Sequence, residues 1–285
     1  MNFTDQPVVM PCAGASLVGI ISQPEQPATL GMVMVVGGPQ YRVGSHRQFV
    51  LLARCLASAG FPVMRFDHRG LGDSSAERMP FDAIHADISV ALDTLQRACP
   101  SVQSVVLWGL CDGASAALLY SGQRDDPRVA GLCLLNPWVR SDVTLARTRI
   151  KHYYAGRLLE PSFWRRLWQG QFDWRTSLAD LWQSLQALRP EPPSTQPEPS
   201  FQHNMALALR HFPGQVLLLL SERDYTAKEF LECAQSDPVW QGLLQRPQLE
   251  RVDVADADHT FSRVIWRAAA EQAVLGWMRR LEVQV

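Results

Sequence analysis

The sequence predicts an α/β protein whose core is a doubly wound, mostly parallel sheet of eight strands covered by helices. Short β-branched runs alternate with helix-length amphipathic segments, the pattern of a parallel sheet with helices on both faces. One run, residues 216–220, is apolar throughout and fits a central strand buried on both sides. The chain of 285 residues is long enough for one large domain of this class, or for two small ones.

The predicted strands fall into two groups. The first two, residues 8–10 and 16–21, are expected to form a leading antiparallel pair. The parallel strands are expected at residues 32–36, 62–66, 104–108, 130–135, 216–220 and 249–254.

Apolar residues at helical spacing predict the helices between these strands. Phe49, Leu52, Ala53 and Leu56 form one apolar stripe, and Gly60 ends that segment. A second stripe runs through residues 81–95, and a third through residues 261–277. Strand, helix and turn therefore alternate in the order expected of a doubly wound sheet.

One long segment, residues 138–211, interrupts this alternation. It contains no convincing strand, and its tryptophans recur at near-helical intervals, at Trp164, Trp168, Trp174 and Trp182. Residues 190–200, in which seven of eleven residues are proline or serine, predict a loop. We expect a core of residues 1–137 and 212–285 and a helical cap of residues 138–211 over the carboxyl ends of the strands. The alternative is a helical edge without a role in binding.

Composition excludes several function classes. The formal net charge of −1 gives no reason to expect nucleic acid or an anionic membrane surface as a partner. No run approaches the ~18 apolar residues that a membrane-spanning helix needs, and the first 20 residues do not resemble a signal peptide. No dinucleotide, phosphate-loop or metal-ligand pattern is present, so we expect no cofactor and no metal.

The six cysteines show neither a paired motif nor metal-finger spacing. Most of them lie in apolar segments, and a disulfide framework is unusual in a chain of this size. We therefore interpret five as small core residues in a reducing compartment and expect a cytoplasmic protein; these are Cys12, Cys55, Cys99, Cys133 and Cys233.

The sixth, Cys111, lies in the most informative motif of the chain. A predicted strand leads directly into Gly109-Leu-Cys111-Asp-Gly113 and then into an alanine-rich segment with helical character. This is the pattern of a nucleophile elbow with cysteine in place of serine. The turn requires glycines because side chains on either side would collide with neighbouring backbone. It also places the central residue at a helix N-terminus, where the helix dipole favours a thiolate.

An acid and a base follow at the expected points. Asp224 comes just after the strand at residues 216–220, and His259 lies between the last strand and the last helix. The order nucleophile, acid, base is that of α/β-hydrolases. We assign His259 as the base and Asp224 as the residue that orients it. Glu222 is the alternative acid, while Asp256 or Asp258 could cap the last helix.

Ser115 is the rival nucleophile, because it also follows a glycine and serine is the commoner nucleophile. It lies seven residues beyond the predicted end of the strand at Trp108, about one helical turn past Cys111. At that position its side chain is expected to point along the helix towards packed neighbours.

Acyl transfer also needs donors for the developing oxyanion. One is expected to be the backbone N–H of Asp112, the residue after the nucleophile. The second is expected from the loop after the strand at residues 32–36, and since Pro39 has no N–H, Gly38 or Gln40 is the candidate.

With these residues in place, the chain resembles the α/β-hydrolase superfamily over nearly its full length. Residues 67–74 (DHRGLGDS) match the Asp-x-Arg-Gly-x-Gly-x-Ser turn common after the fourth strand of these proteins, where it is structural. The fold this resemblance implies is the α/β-hydrolase fold.

More narrowly, residues 35–49 (VVGGPQYRVGSHRQF) and 108–112 (WGLCD) resemble the exosortase A system-associated hydrolases, type 1. That resemblance implies a bacterial cytoplasmic hydrolase associated with exopolysaccharide and exosortase protein-sorting pathways. Two departures from ordinary esterases weaken the case for simple carboxylesterase activity. Cysteine replaces serine, and the oxyanion loop reads Gly-Gly-Pro where His-Gly is frequent.

Three functions compete. The first is hydrolysis of a small-molecule acyl substrate through an acyl-cysteine, with thioesters, aryl esters or lactones favoured because a thiolate is a better leaving group than an alkoxide. The second is acyl transfer to an alcohol by the same triad. The third is a scaffold without turnover, although a scaffold has no need of cysteine, histidine and aspartate together.

Overall fold

The computed structural model describes residues 2–38, 40–140 and 200–284. The strands of this part of the chain are β1 (Phe3–Cys12), β2 (Ala15–Pro24), β3 (Leu30–Val35), β4 (Val63–Asp67), β5 (Ser104–Leu110), β6 (Val129–Leu135), β7 (Gln215–Ser221) and β8 (Leu249–Val254). Each contains one of the predicted strands or overlaps it closely. β1 extends well beyond the predicted residues 8–10, whereas β8 at the other edge of the sheet has the predicted bounds.

These strands form one sheet in the order β1-β2-β4-β3-β5-β6-β7-β8. β2 pairs in antiparallel fashion with both β1 and β4, and all other neighbours pair in parallel. The order reverses around β3, so β3 and β5 are neighbours although β4 lies between them in sequence. The carboxyl ends of β3, β5, β6, β7 and β8 therefore lie along one edge of the sheet, where α/β proteins place their sites.

The described helices are α1 (Gln48–Ser58), α2 (His85–Ala98), α3 (Asp112–Gln123), α4 (Phe201–His211), α5 (Tyr225–Ser236) and α6 (Val264–Glu282). Short 3-10 turns occur at Ser45–Arg47, Phe81–Ala83, Pro238–Trp240 and Leu243–Gln245. The second predicted stripe thus divides into a 3-10 turn containing Phe81 and a regular helix that begins at His85, with Pro80 directly before the turn.

Two hydrophobic layers cover the two faces of the sheet. Along β7, Leu217 and Leu219 belong to one layer, while Val216, Leu218 and Leu220 belong to the other. This alternation follows from the two-residue period of a strand. Residues of α1 and α6 fill one layer, and residues of α2, α3, α4 and α5 fill the other. Nearly every strand residue of β3 to β7 is buried, as expected for a sheet covered on both faces.

The eight-stranded, mostly parallel sheet with helices on both faces confirms the predicted α/β-hydrolase fold. Most of the predicted cap and of the loop at residues 190–200 lies outside the described residues. The end of the predicted insertion is α4, which packs against α3 and contributes Met205 and Leu209 to the core. The division into core and cap stays a prediction.

No helix of the described residues is long and apolar enough to cross a membrane.

Candidate active site

The turn between β5 and α3 holds Cys111 in a strained conformation, with φ 60° and ψ −127°. A Cβ atom on Gly109 would lie 2.3 Å from backbone atoms of Gly113, and one on Gly113 would lie 2.4 Å from the carbonyl oxygen of Val35. Neither site can accept a side chain without movement of the backbone. The steric reason for glycine on both sides of Cys111 is thus confirmed.

Backbone hydrogen bonds fix Cys111 in this turn. Its N–H donates to the carbonyl oxygen of Leu135 at 2.9 Å, which ties the turn to the end of β6. Its own carbonyl oxygen accepts from the N–H groups of Ala114, Ser115 and Trp138. The side chain is half-buried at the N-terminus of α3, so the positive end of the helix dipole lies beside its sulfur.

Ser115 is fully buried and its hydroxyl is committed elsewhere. Its Oγ donates to the carbonyl oxygen of Trp138 at 2.7 Å. The expectation that this side chain points towards packed neighbours is confirmed, and Ser115 cannot reach a substrate from this position.

Asp224 lies just past the carboxyl end of β7 and caps α5. Its two carboxylate oxygens accept from the N–H groups of Thr226 and Ala227 at 3.1 and 3.3 Å. The side chain is only 6% exposed. These bonds hold the carboxylate in one orientation while leaving capacity for a further donor.

His259, in the loop after β8, supplies that donor. Its Nδ1 lies 2.7 Å from Oδ2 of Asp224, and the imidazole also hydrogen-bonds the side chain of Cys111. Asp224 and Cys111, which are 113 residues apart in sequence, therefore meet through one ring. The structure thus brings together the three residues that the sequence predicts as acid, base and nucleophile, with His259 between the other two.

The surroundings of His259 favour its charged form. Burial by itself lowers the pKa of the imidazole, but the hydrogen bonds to Asp224 and Cys111, together with attraction to their charges, outweigh it and raise the pKa to about 10. The protonated imidazole is thus placed to donate a proton in the neighbourhood of the sulfur.

The other acids near this loop have different partners. Glu222 accepts the N–H of Asp256 at 2.9 Å, and the side chain of Asp256 pairs with Arg223. Asp258 accepts from the N–H of Ser262 at 3.0 Å and from its hydroxyl, so it stabilises the turn that leads to α6. Of these acids, only Asp224 lies against the imidazole of His259.

The predicted oxyanion donors show an unexpected contact. The N–H of Gly38 donates to Oδ2 of Asp112 at 2.7 Å, so a side chain already occupies that donor. The N–H of Gln40 points at the carbonyl oxygen of Gly37, at 3.4 Å. Among the three predicted donor residues, Asp112 and Gly38 are thus together, and Gln40 lies further along the same loop.

The turn at residues 67–74 anchors this loop. Asp67 is fully buried and accepts from the backbone N–H of Arg42 at 2.6 Å, and the Arg42 guanidinium pairs with both Asp67 and Asp73. The hydroxyl of Ser74 donates to the carbonyl oxygen of Asp67 at 2.6 Å. The structural role predicted for this turn is confirmed, and it includes fixing the loop that carries Gly38.

Asn136 is a site residue that sequence reasoning missed. It is completely buried directly after β6, and its Nδ2 donates to the hydroxyl of Ser221 at 2.9 Å and to the carbonyl oxygen of His259 at 3.2 Å. Its Oδ1 accepts the N–H of Ser221 at 2.8 Å. A polar residue immediately after a buried strand, at the edge where the site lies, was the available signal.

The described residues were also searched for metal sites and for cavities away from Cys111 and His259. Across residues 2–38, 40–140 and 200–284, no group of three or more His, Cys, Asp or Glu side chains could hold a metal ion. Two surface cavities, of about 520 and 420 Å³, border α5, and neither is lined by Cys111 or His259.

Comparisons with known proteins agree with the fold. Similar solved structures are the Pyrococcus furiosus esterase Pf2001 (TM-score 0.65, 15% identity, 98% of this chain and 93% of that chain) and Est1E from Butyrivibrio proteoclasticus with ferulic acid (0.61, 13%, 96% and 98%). The structure of a putative hydrolase from Agrobacterium vitis is also similar, with a TM-score of 0.59 and 16% identity over 98% of this chain and 100% of that chain. At these identities the likeness shows the fold alone. No curated protein sequence matches the chain.

A family model gives the assignment. Residues 31–189 match the model described as "Serine aminopeptidase, S33", which is more than half of the 285 residues. The matched range begins in β3 and includes the turn between β5 and α3 that carries Cys111. The chain therefore belongs to this serine aminopeptidase family of α/β-hydrolases.

Proposed function

We propose that the protein is a hydrolase that cleaves an activated acyl bond, in a thioester, an aryl ester or a lactone, through an acyl-cysteine at Cys111. The observation that carries this proposal is the position of His259, which hydrogen-bonds both Asp224 and Cys111. The family takes its name from serine, but cysteine occupies the elbow here and Ser115 is buried.

The raised pKa of His259 supports its role as the proton donor of the reaction. The Cys111 thiolate attacks the carbonyl carbon and forms a C–S bond, and the imidazolium gives its proton to the leaving group. The neutral imidazole then takes a proton from water, the hydroxide attacks the thioester carbon, and the C–S bond breaks. The thiolate leaves, the acid is released, and Asp224 holds the ring in one orientation throughout.

Substrate preference follows from the leaving groups. A tetrahedral adduct on cysteine breaks towards its better leaving group, and a thiolate leaves more readily than an alkoxide. An alkyl ester therefore returns to starting material, whereas a thioester or aryl ester goes forward. This is the chemical reason for placing activated acyl bonds ahead of alkyl esters and amides.

The test is turnover of short acyl thioesters and p-nitrophenyl esters by the wild type, Cys111→Ala and Cys55→Ala. We expect Cys111→Ala to lose at least about a thousandfold in kcat, whereas Cys55→Ala, which removes a half-buried thiol on α1, retains activity. Mass spectrometry of the quenched wild type should show an acyl adduct on the peptide that contains Cys111.

Equal turnover by the wild type and Cys111→Ala would overturn the proposal. Faster product formation with an added alcohol than with water would replace hydrolysis by acyl transfer through the same cysteine. Absence of any turnover or adduct across the whole panel would favour the third function, a scaffold protein without catalytic activity.

We also propose that this activity serves a bacterial exopolysaccharide or exosortase pathway in the cytoplasm. The support is the resemblance of residues 35–49 and 108–112 to the exosortase A system-associated hydrolases. None of the six cysteines, all of which lie within the described residues, forms a disulfide. Deletion of the gene should lower exopolysaccharide output, and a Cys111→Ala allele should not restore it; unchanged output would contradict the association.

A further inference from the structure

Arg140, in the segment after β6, carries a guanidinium that two neighbours hold in place. Its Nε donates to both carboxylate oxygens of Glu229 on α5, at 3.2 and 3.1 Å. Its Cζ lies 4.5 Å from the centre of the Trp138 ring, in a cation–π contact. The side chain of Glu229 is only 2% exposed, so the carboxylate that binds the guanidinium is itself fixed by packing.

Both neighbours are tied to residues of the candidate active site. The backbone N–H of Trp138 donates to the carbonyl oxygen of Cys111 at 3.2 Å. Arg140 follows two residues later, which keeps its Cα within roughly 7 Å of that of Trp138. Glu229 lies on the helix that Asp224 caps, five residues further on, which is a rise of roughly 7.5 Å. The ion pair therefore lies beside the site, between the chain segments that leave β6 and β7.

The outer edge of the Arg140 guanidinium is open. Its two terminal NH2 groups form no hydrogen bond with any of the described residues, and Glu229 is the only carboxylate within ion-pair distance in that part of the chain. The side chain is 33% exposed, so a molecule in the site can reach it. Two parallel N–H donors on a planar guanidinium match the two oxygens of a carboxylate.

A purely structural role accounts for this arrangement less well. A guanidinium that only balances a buried carboxylate frequently binds it with two N–H groups, one opposite each oxygen. Here a single Nε serves both oxygens of Glu229, and the edge that makes two-point contacts is left for another acceptor. Because Glu229 already balances one positive charge, a singly charged carboxylate fits this pair better than a dianionic phosphate.

We propose that Arg140 is a specificity-determining residue that binds a carboxylate of the substrate through its two terminal NH2 groups. The substrate class is a thioester or activated ester that carries a carboxylate at a distance from the reacting carbonyl, on its acyl chain or on its leaving group. This inference rests on the proposed acyl-cysteine function and adds the charge of the substrate to it.

The test compares substrates that differ only in this charge. In one arm, glutaryl and adipoyl thioesters of N-acetylcysteamine are measured beside their methyl esters, so that the acyl chain varies. In the other, butanoyl thioesters of 3-mercaptopropanoate and of its methyl ester vary the leaving group. For the wild type at about pH 7 we expect kcat/KM to be at least about tenfold higher for the free carboxylate in one arm, mainly through a lower KM. That arm identifies the end of the substrate that Arg140 binds.

Two variants assign the preference to Arg140. Arg140→Gln alone leaves the buried carboxylate of Glu229 without its cation, so it is combined with Glu229→Gln, and the double variant should lose the preference. Arg140→Lys keeps the charge but not the two-point edge, and we expect it to retain only part of the preference. The matched control combines Arg223→Gln with Asp256→Asn, which removes an exposed ion pair at the same edge of the sheet. It should leave the preference unchanged.

A preference that is present in the wild type and in the control, but absent from Arg140→Gln/Glu229→Gln, supports the proposal. Equal kcat/KM for free and methylated carboxylates in both arms, or an unchanged preference in that double variant, overturns it while the acyl-cysteine stands. Circular dichroism verifies that each variant is folded.

Binding decides the matter if the wild type turns over none of these substrates, a result that counts against the proposed function. Each free carboxylate and its methyl ester are titrated calorimetrically into Cys111→Ala. Binding of a free carboxylate at least about tenfold more tightly than its methyl ester supports the role of Arg140. Equal binding in both arms overturns it.

Discussion

At the residue scale, one imidazole joins the three side chains of the candidate site. His259 lies between the carboxylate of Asp224 and the sulfur of Cys111, and its side chain is 32% exposed. Because the pKa of the ring is raised to about 10, the imidazolium persists through neutral pH. Protons in such a group belong to the set of residues, so removal of one partner alters the titration of the others.

The first residue-scale prediction concerns this titration. NMR of the His259 ring should give a pKa of about 10 in the wild type and a lower one in Asp224→Asn, because the variant loses both the charge and the anionic acceptor. The control is Glu222→Gln, which changes an acid bonded to the N–H of Asp256 instead. An unchanged pKa in Asp224→Asn would show that Asp224 does not act on the ring.

The same shift predicts a pH dependence of stability. The folded pKa is above the unfolded value of 6.5, so the imidazolium stabilises the fold fully below about pH 6.5, and this contribution is lost as the pH rises through about 10. Urea denaturation should show the wild type losing its advantage over His259→Gln across that range. An advantage that grows with pH would contradict the raised pKa.

At the scale of elements, the site depends on where strands end. Cys111, Asn136, Asp256 and Phe261 all have positive φ angles without being glycine. Each lies in a segment that leaves the carboxyl end of β5, β6 or β8. Backbone strain of this kind persists where surrounding contacts over-determine the conformation. Here those contacts include the bonds of Asn136 to the end of β7 and to the His259 loop.

Asn136→Ala should therefore weaken both the fold and the site. It leaves the buried N–H of Ser221 without its acceptor and should lower the free energy of unfolding by about 1–3 kcal/mol. It also releases the carbonyl of His259, and kcat should fall on the order of tenfold, with a smaller change in KM. Urea denaturation, steady-state kinetics and NMR of the His259 ring measure these effects.

Two further variants test whether Asn136 positions the ring of His259 or only stabilises the fold. Asn136→Asp keeps an acceptor for Ser221 but loses the donor to His259, so it should change the titration of the ring. Gln202→Ala removes a buried hydrogen bond to the carbonyl oxygen of Val139, at 3.2 Å, without touching the His259 loop. A loss of stability in Gln202→Ala with normal kcat is expected. Normal kcat in Asn136→Ala would leave Asn136 a structural residue only.

At the scale of the whole molecule, the strand order brings distant loops to one edge. β3 and β5 are neighbours, so the loop after β3 faces the first turn of α3, and Gly38 meets Asp112. β7 lies between β6 and β8, so Asp224 and His259 meet above it while Asn136 reaches across from β6. The two hydrophobic layers hold this edge rigid, because strand residues on both faces are buried.

The sequence by itself determined every strand of the described residues, the tight turn at Cys111, and the positions of Asp224 and His259 just after β7 and β8. The periodicity of apolar residues specifies strands and helices locally. The glycines around Cys111 indicate a tight turn, because only glycine fits at those positions. Chain order was enough to select His259, since it follows the last strand. Between Asp224 and Glu222, however, the sequence left a choice, because both lie just beyond β7.

Only the tertiary structure decided which side chains meet. The contact of Asp112 with Gly38 joins residues 74 apart, and that of Asn136 with His259 joins residues 123 apart. Such contacts depend on strand order and on the exact paths of loops, which no local pattern encodes. For the same reason, the sequence predicted free donors for an oxyanion, whereas packing placed a carboxylate on one of them.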